Sequence, residues 1–393
     1  MACGAGCDNF MTEVQTLAGK QIIIAVTGSI AAVEAVKLIH SLRRCGAIVQ
    51  PVMSQAASGI IHPDALTYAS GRETITRLSG RVEHITCCGD GGSADLLLIA
   101  PCTANTLGKI ACGIDDTPVT TFATTALGSQ KPVIIVPAMH HSMYRHKAVT
   151  ENIAKLKEWG VEIVDPKIEE GKAKIAGNEE IVLCCERAIL GRALSGKKVL
   201  ITSGPCQEPV DDIRVLTSRS SGQMGRALAL QAFRLGADVT VVHNSTIPCV
   251  KNVFVETADD MRSAVHHSFS ERDVDIYISA AAISDFAPDK VKGKIPSGRQ
   301  AKITLRPLPK LLAEVMQQYN SRIIAFKLGI NQLKLGKAMI AQGISMVLVN
   351  TPESMGSSHG EYILLTRAGE TPLSGTKDEI ANAIWNAVIQ SYT

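Results

Sequence analysis

The sequence predicts an α/β chain made of two doubly wound domains, and three observations carry that prediction. Aliphatic runs such as ADLLLIA at 94–100 and PVIIV at 132–136 are nearly unbroken, the pattern of parallel strands buried on both faces. Aromatic residues make up only 4% of the chain while small and branched aliphatics are plentiful, which suits helices layered on such a sheet. The chain also opens twice. GKQIIIAVTGS at 19–29 returns in outline as GKKVLITSG at 196–204, each a lysine-flanked strand running into a glycine-bearing turn, a helix and a second strand.

A chain of 393 residues, 46% of them hydrophobic, exceeds one typical core. A sheet normally starts once per domain, so the polar ALSGKK at 193–198 marks the expected boundary. The expected organisation is a disordered leader over 1–18, a first domain over 19–194 and a second over 195–393. The net charge of +3, with no block of Lys and Arg interleaved with aromatics, excludes a nucleic-acid partner. No apolar run approaches the length of a bilayer span, so no membrane partner is expected. The eleven cysteines show no framework of spacings and no zinc pattern; free thiols in a reducing cytoplasm follow.

In the first half, strand, turn, amphipathic helix and second strand run from 19 to 54, buried strands follow at 94–100 and 132–136, and VEIVDP leads into the loop KIEEGKAKIAGNEEIV. That order is flavodoxin-like or Rossmann-like, with ligands expected outside the carboxyl ends of the strands. Gly28 and Ser29, Ser54, Pro101, Thr103 and Asn105, and Met139 with His140 each follow a strand. Gly28 and Ser29 stand where strand becomes helix, a position for a phosphate, although a turn glycine and a capping serine explain the same pair. With the hydroxyls of Ser54 and Thr103 and the amide of Asn105, three strand exits can converge on a phosphorylated, ring-bearing cofactor. His84, in EHI, is the candidate acid–base group. His140, His141 and His146 lack the spacing of a helical zinc pair, and His140 is assigned to substrate binding.

The motifs AVTGSIAA, EHI, APCTANTLGKIACGIDDT and PAMHHSMYRH resemble the flavin-containing phosphopantothenoylcysteine decarboxylases. ITSGPCQEPVDDIRVLTSRSSGQMGRALA and SAAISDF resemble the phosphopantothenate–cysteine ligases, and the two sets stand in the order of the bifunctional coenzyme A biosynthesis family, with PAMH and EEGKAKIA like its archaeal branch. The resemblance implies a flavoprotein domain followed by a Rossmann-like ligase domain. It implies FMN held around Gly28, Ser29, Ser54, Pro101, Thr103 and Asn105, His84 as the catalytic residue, and Met139 and His140 on the substrate. The family's flap Cys, a proton donor, is missing from GKAKIAGNEE; Lys172 and Lys174 occupy that stretch. His140 stands where the family commonly has Asn.

For the second half the resemblance implies CTP or another nucleoside triphosphate with Mg²⁺, and phosphopantothenate and cysteine as substrates. The nucleotide residues by this reading are Ser279, Ala280, Ala281, Asp285, Lys290, Lys294 and Phe326. Ser220, Ser221 and Gly222, ahead of a helix, suit phosphate oxygens, and Ser218 stands where the family has a catalytic Asn. Gln223 stands where it usually has Lys. No metal ligands are assigned. These departures keep open an alternative, a decarboxylase whose ligase half has lost turnover. A flavin prenyltransferase explains only the first half, and a pair of NAD(P) domains is opposed by the missing GxGxxG. The resemblance also implies homo-oligomers: a trimer-based decarboxylase and a dimeric ligase, combining up to a dodecamer.

Overall fold

The computed structural model describes residues 15–169, 172–298 and 300–392. The chain divides into two compact units, Met1–Leu190 and Gly191–Thr393. Residues 1–14 of the expected leader lie outside the described residues. Its last part is not loose, because Leu17 is fully buried and its N–H donates to the Cys45 carbonyl at 2.8 Å.

The first unit is built on β1 (Gln21–Val26), β2 (Ile48–Met53), β3 (Leu96–Cys102), β4 (Val133–Pro137), β5 (Met139–His140) and β6 (Glu162–Ile163). Five of these form a parallel sheet in the order β2-β1-β3-β4-β6. This is the flavodoxin-like arrangement, and the chain reverses its winding direction between β1 and β3, the point at which sheets of this kind take their ligands. The aliphatic runs are strands because helices cover both faces: all seven residues of β3 and all five of β4 are buried. Helix Ala35–Arg44 buries Ala35, Leu38, Ile39 and Leu42, the spacing of one helical face. Phe122, in helix Pro118–Gly128, is fully buried in the core cluster with Ile99 and Ile135, contributing roughly 1.5–3 kcal/mol. A second, antiparallel sheet joins β5 to a hairpin of β7 (Lys167–Glu169) and β8 (Lys172–Lys174) in the order β5-β8-β7.

The second unit contains β9 (Lys198–Thr202), β10 (Gln207–Pro209), β11 (Val215–Thr217), β12 (Asp238–His243), β13 (Lys251–Phe254), β14 (Ile276–Ser279), β15 (Phe286–Pro288), β16 (Leu305–Pro307), β17 (Arg322–Leu328), β18 (Met346–Asn350), β19 (His359–Thr366) and β20 (Gly369–Thr376). Its main sheet runs β13-β12-β9-β14-β17-β18-β19-β20. The strands are parallel up to β18, and β19 and β20 extend the edge as an antiparallel pair. This is the Rossmann strand order with a hairpin added, and its reversal lies between β9 and β14. Two small hairpins, β10–β11 and β15–β16, stand apart from it. The closing helix Lys377–Gln390 buries Trp385, whose indole N–H donates to the Leu228 carbonyl at 2.9 Å.

The repeated opening has a structural cause. In the first unit the Asp95 carboxylate accepts the Gln21 N–H at 2.8 Å and pairs with Lys20 at 3.3 Å. In the second, Asp275 accepts the Lys198 N–H at 2.8 Å and pairs with Lys197 at 3.2 Å. Each Gly-Lys opening is thus tied to an aspartate just ahead of the strand that lies beside it.

Candidate active sites

At the carboxyl end of the first sheet, Thr27 joins two strand exits across the reversal point. Its buried hydroxyl donates to the Pro101 carbonyl at 2.8 Å, its N–H reaches the same carbonyl at 3.2 Å, and Thr103 N–H donates to Thr27 Oγ1 at 3.0 Å. The Ala100–Pro101 peptide is cis. On the other side, Ser54 N–H donates to the Val26 carbonyl at 3.1 Å. The exits of β2, β1 and β3 therefore form one hydrogen-bonded row. Gly28 lies so close to helix Gln55–Ser58 that a Cβ there would come within 2.5 Å of Ala56 Cβ, so this turn has no room for a side chain.

Ser29, Ser54 and Thr103 all cap helices, accepting N–H groups of Ala31, Ala57 and Thr106 at 3.4, 3.3 and 3.3 Å. Asn105 is exposed in the first turn after Thr103. The acids of the GIDDT loop serve the fold: Asp116 pairs with Lys109 at 2.6 Å and Asp115 accepts the Thr121 hydroxyl.

His84 is the second residue of helix Glu83–Cys88, which packs against helix Pro118–Gly128. Its Nδ1 is buried and has no hydrogen-bond partner. A buried polar atom left unpaired is costly and rare in a native structure. The helix is entered through Val82 at φ 47°, ψ 50°, a left-handed conformation that a β-branched residue adopts only under strain. Beside it, the Ser79 hydroxyl and N–H bond the Glu83 carboxylate and lower its pKa to about 2. The nearby thiols are poor nucleophiles, since burial raises Cys87 and pushes Cys88 up to about 12.

His140 caps helix His141–Tyr144: the Ser142 N–H donates to its Nδ1 at 3.3 Å, and the Ser142 hydroxyl lies 2.8 Å from that nitrogen. A neutral ring accepting there carries its proton on Nε2, which is left to point outward as a donor. Met139 and His140 pair in register with Ala173 and Lys172 of β8, so the β7–β8 pair is hydrogen-bonded to the segment that carries His140. The side chains of Lys172 and Lys174 lie outside the described residues. His141, weighed from the sequence only as a zinc ligand, also has a buried Nδ1 without a partner.

In the second unit the exits of β9 and β14 meet. Ala280 N–H donates to the Thr202 carbonyl at 3.1 Å and Ala282 N–H to the Gly204 carbonyl at 2.9 Å. Ser203 Oγ donates to the Gly222 carbonyl at 3.2 Å, and a Cβ on Gly225 would fall 2.4 Å from Ser203 Cβ, so helix Gln223–Arg234 starts directly against this crossing. Gly222 has φ 72°, which glycine adopts without strain. Ser220 and Ser221 lead into that turn, and Ser220 N–H is 3.4 Å from Ser218 Oγ. Phe326 follows Ala325, the register partner of Ser279. Ser279, Ala280, Ala281, Phe326 and the Gly222 turn thus belong to neighbouring strand ends.

Two of the three charged candidates are already paired. Asp285 bonds Lys310, a residue the sequence reading did not single out, and Lys290 bonds Asp212 at 3.1 Å. Lys294 has no partner among the described residues. Asp211 accepts N–H groups from Ile213, Arg214 and Ile295 at 2.8, 2.7 and 3.0 Å and pairs with Arg214 at 2.6 Å, contacts that hold its carboxyl far below the usual range. The acidic loop is thereby fastened to the lysine loop. Among the described residues no group of three or more His, Cys, Asp or Glu could hold a metal ion.

Comparison with known proteins gives each unit a family. Residues 11–190 match the Flavoprotein family and residues 194–392 match the DNA/pantothenate metabolism flavoprotein C-terminal domain. The chain is 42% identical to the coenzyme A biosynthesis bifunctional protein CoaBC of Thermococcus kodakarensis, covering 96% of this chain and 97% of that one. It belongs to the bifunctional CoaBC family. The CoaBC of Methanocaldococcus jannaschii is 36% identical over 95% of this chain and 94% of its own, so both units are matched in one order in two archaeal relatives. A decarboxylase-only reading gains no support from these full-length matches. Among solved structures, the C-terminal domain of a CoaBC aligns with 51% of this chain and 98% of its own at 27% identity and a TM-score of 0.44.

Proposed function

We propose that the second unit couples 4′-phosphopantothenate to cysteine and that the first decarboxylates the product to 4′-phosphopantetheine, with FMN as the cofactor of the first unit. His84 carries this reading: a buried Nδ1 without a partner, in a unit of the flavoprotein family whose strand ends form a hydrogen-bonded crevice. A bound FMN would supply a reversible two-electron acceptor, taking electrons from the cysteine arm so that its carboxylate can depart and giving them back to the decarboxylated arm, so that the net change is loss of CO₂ alone. The row of Gly28, Ser29, Ser54, Pro101, Thr103 and Asn105 would hold it, with the capping turns turned toward its phosphate. His84 offers its Nδ1 to the thiol of the substrate as base. His140 donates from Nε2 to a substrate carboxylate, and Met139 lines the same arm.

In the second unit, a substrate carboxylate oxygen attacks the α-phosphorus of CTP, pyrophosphate leaves, and the amine of cysteine then displaces CMP to form the amide. Ser279, Ala280 and Ala281 let the nucleotide approach the backbone, Phe326 lies along its base, and Asp285, positioned by Lys310, accepts from it. Lys294 meets the triphosphate, while Lys290 serves through its tie to Asp212. Ser220, Ser221 and Gly222 receive phosphate oxygens, and Ser218 donates one hydrogen bond to the acyl-nucleotide. Mg²⁺ arrives with the triphosphate, since Asp211 and Asp212 are already bonded within the protein.

No helix among the described residues is long and apolar enough to cross a membrane, and nine of the eleven cysteines are described as free thiols, consistent with a reducing cytoplasm. Homo-oligomers, trimeric through the first unit and dimeric through the second, complete the reading. The test is to supply the protein with phosphopantothenate, cysteine, Mg²⁺ and CTP and follow pyrophosphate and the two products by mass spectrometry. Decarboxylation of supplied adduct without any pyrophosphate release would remove the ligase half of the proposal.

A further inference from the structure

The C-terminal helix begins with a buried lysine. Lys377 is 7% exposed, and its Nζ donates to the Tyr362 hydroxyl at 2.7 Å and to the Ser354 carbonyl at 3.1 Å. It has no carboxylate partner among the described residues. Removing an ammonium from water with only neutral acceptors around it is unfavourable, and a methionine of similar length would fill the space at lower cost. The surroundings are nevertheless shaped for the amine. A Cβ on Gly360 of β19 would stand 2.8 Å from Nζ and 2.7 Å from the Tyr362 ring, so β19 has given up a side chain to admit it.

The contacts of Tyr362 show what the ammonium holds. The Tyr362 ring meets Phe326 edge to face, with centroids 6.2 Å apart and planes at 87°. The sheet register explains the meeting: Phe326 pairs with Leu348, Leu348 with Leu364, and Tyr362 is two residues along β19 on the same face. Ser354, the other acceptor, also receives the Asn350 amide at 2.6 Å, which fixes the turn leaving β18. Lys377 thus joins the start of the last helix, the turn after β18 and the ring that packs on Phe326.

We propose that Lys377 is a positioning residue of the ligase, holding Tyr362 so that Phe326 presents one fixed ring orientation to the nucleotide base. The inference rests on the assignment of Phe326 to the nucleotide. Its test is steady-state ligation by the full chain with CTP as the varied substrate, using K377M, Y362F, F326A and the double variants, with the thermal unfolding transition of each variant compared with wild type as the check on folding. K377M is expected to raise the KM for CTP about tenfold with kcat within about twofold, and Y362F to raise it in the same direction by a smaller factor. In the F326A background neither change should add a further effect, because all three act through one ring. Lost stability alone would act equally in both backgrounds. An unchanged KM in K377M, or an effect that persists in full alongside F326A, overturns the proposal. If K377M does not fold, Y362F decides by the same two criteria. If F326A itself leaves the KM for CTP unchanged, the assignment of Phe326 fails and Lys377 falls with it; if only K377M is silent, the nucleotide reading stands.

Discussion

Thr27 and Pro101, seventy-four residues apart in the chain, are joined by a buried hydrogen bond of 2.8 Å from the threonine hydroxyl to the proline carbonyl. The bond crosses the point where the first sheet reverses its winding, and Thr103 N–H closes the junction by donating to the same hydroxyl. T27V keeps the shape and removes both roles, leaving a buried carbonyl and N–H each short of one partner. It is expected to lower stability by about 1–3 kcal/mol and weaken FMN about tenfold. Fluorescence titration of the apoprotein with FMN checks this, and unchanged affinity would detach the junction from the cofactor.

His84 has a different expected signature. H84N replaces the basic ring nitrogen with an amide atom that cannot take up a proton and leaves the strand exits undisturbed, so the protein should remain yellow. Decarboxylation of supplied adduct should fall by about 10²–10⁴. Loss of flavin together with activity would assign His84 to binding.

The two candidate lysines of the second unit separate by their pairing. Lys290 is engaged with Asp212 on the protein surface, whereas Lys294 is without a partner among the described residues. K294A is expected to raise the KM for CTP about tenfold and K290A by less than about threefold, in line with the small worth of an exposed pair. Equal effects would mean that the Asp212 contact opens when nucleotide binds.

Asp211 gives the second unit a pH dependence of defined sign. Its carboxyl is held well below the usual range, by the N–H groups of Ile295, Ile213 and Arg214 and by the Arg214 guanidinium. A depressed folded pKa stabilises the protein at any pH above the ordinary carboxylate value, and that contribution is lost as the pH falls below it toward the folded value. The difference in Tm between wild type and D211N should therefore be constant from about pH 8 to 5 and shrink below about pH 4. A difference that grows in acid would contradict the assignment.

The openings of both units were legible because strand burial writes itself as aliphatic runs, and the repeated Gly-Lys pair could have pointed to Asp95 and Asp275, each an acid directly ahead of a buried strand. The flavodoxin-like and Rossmann-like orders were expected as classes; the register that distinguishes them depends on which strands pair, and local pattern does not encode this. The charged residues were less legible for the same reason. Nothing near Lys290 in sequence reveals Asp212, and nothing near Asp285 reveals Lys310, because each partner arrives from a different loop. His140 and His141 are neighbours with opposite environments, one exposed and capping a helix, the other with a buried, unpartnered Nδ1, a distinction that depends on tertiary packing rather than local pattern. Lys377 reads from sequence as an ordinary first-turn residue after a Thr cap, and only the missing side chain at Gly360 reveals why it is buried.

The most direct measurement is a visible absorption spectrum of the purified full chain, followed by mass spectrometry after it is given synthetic phosphopantothenoylcysteine. The account predicts a flavin band and a product lighter by one CO₂, formed by wild type and slowed about 10²–10⁴-fold in H84N. A colourless protein that takes up no FMN, or a yellow one that leaves the adduct intact, would contradict it.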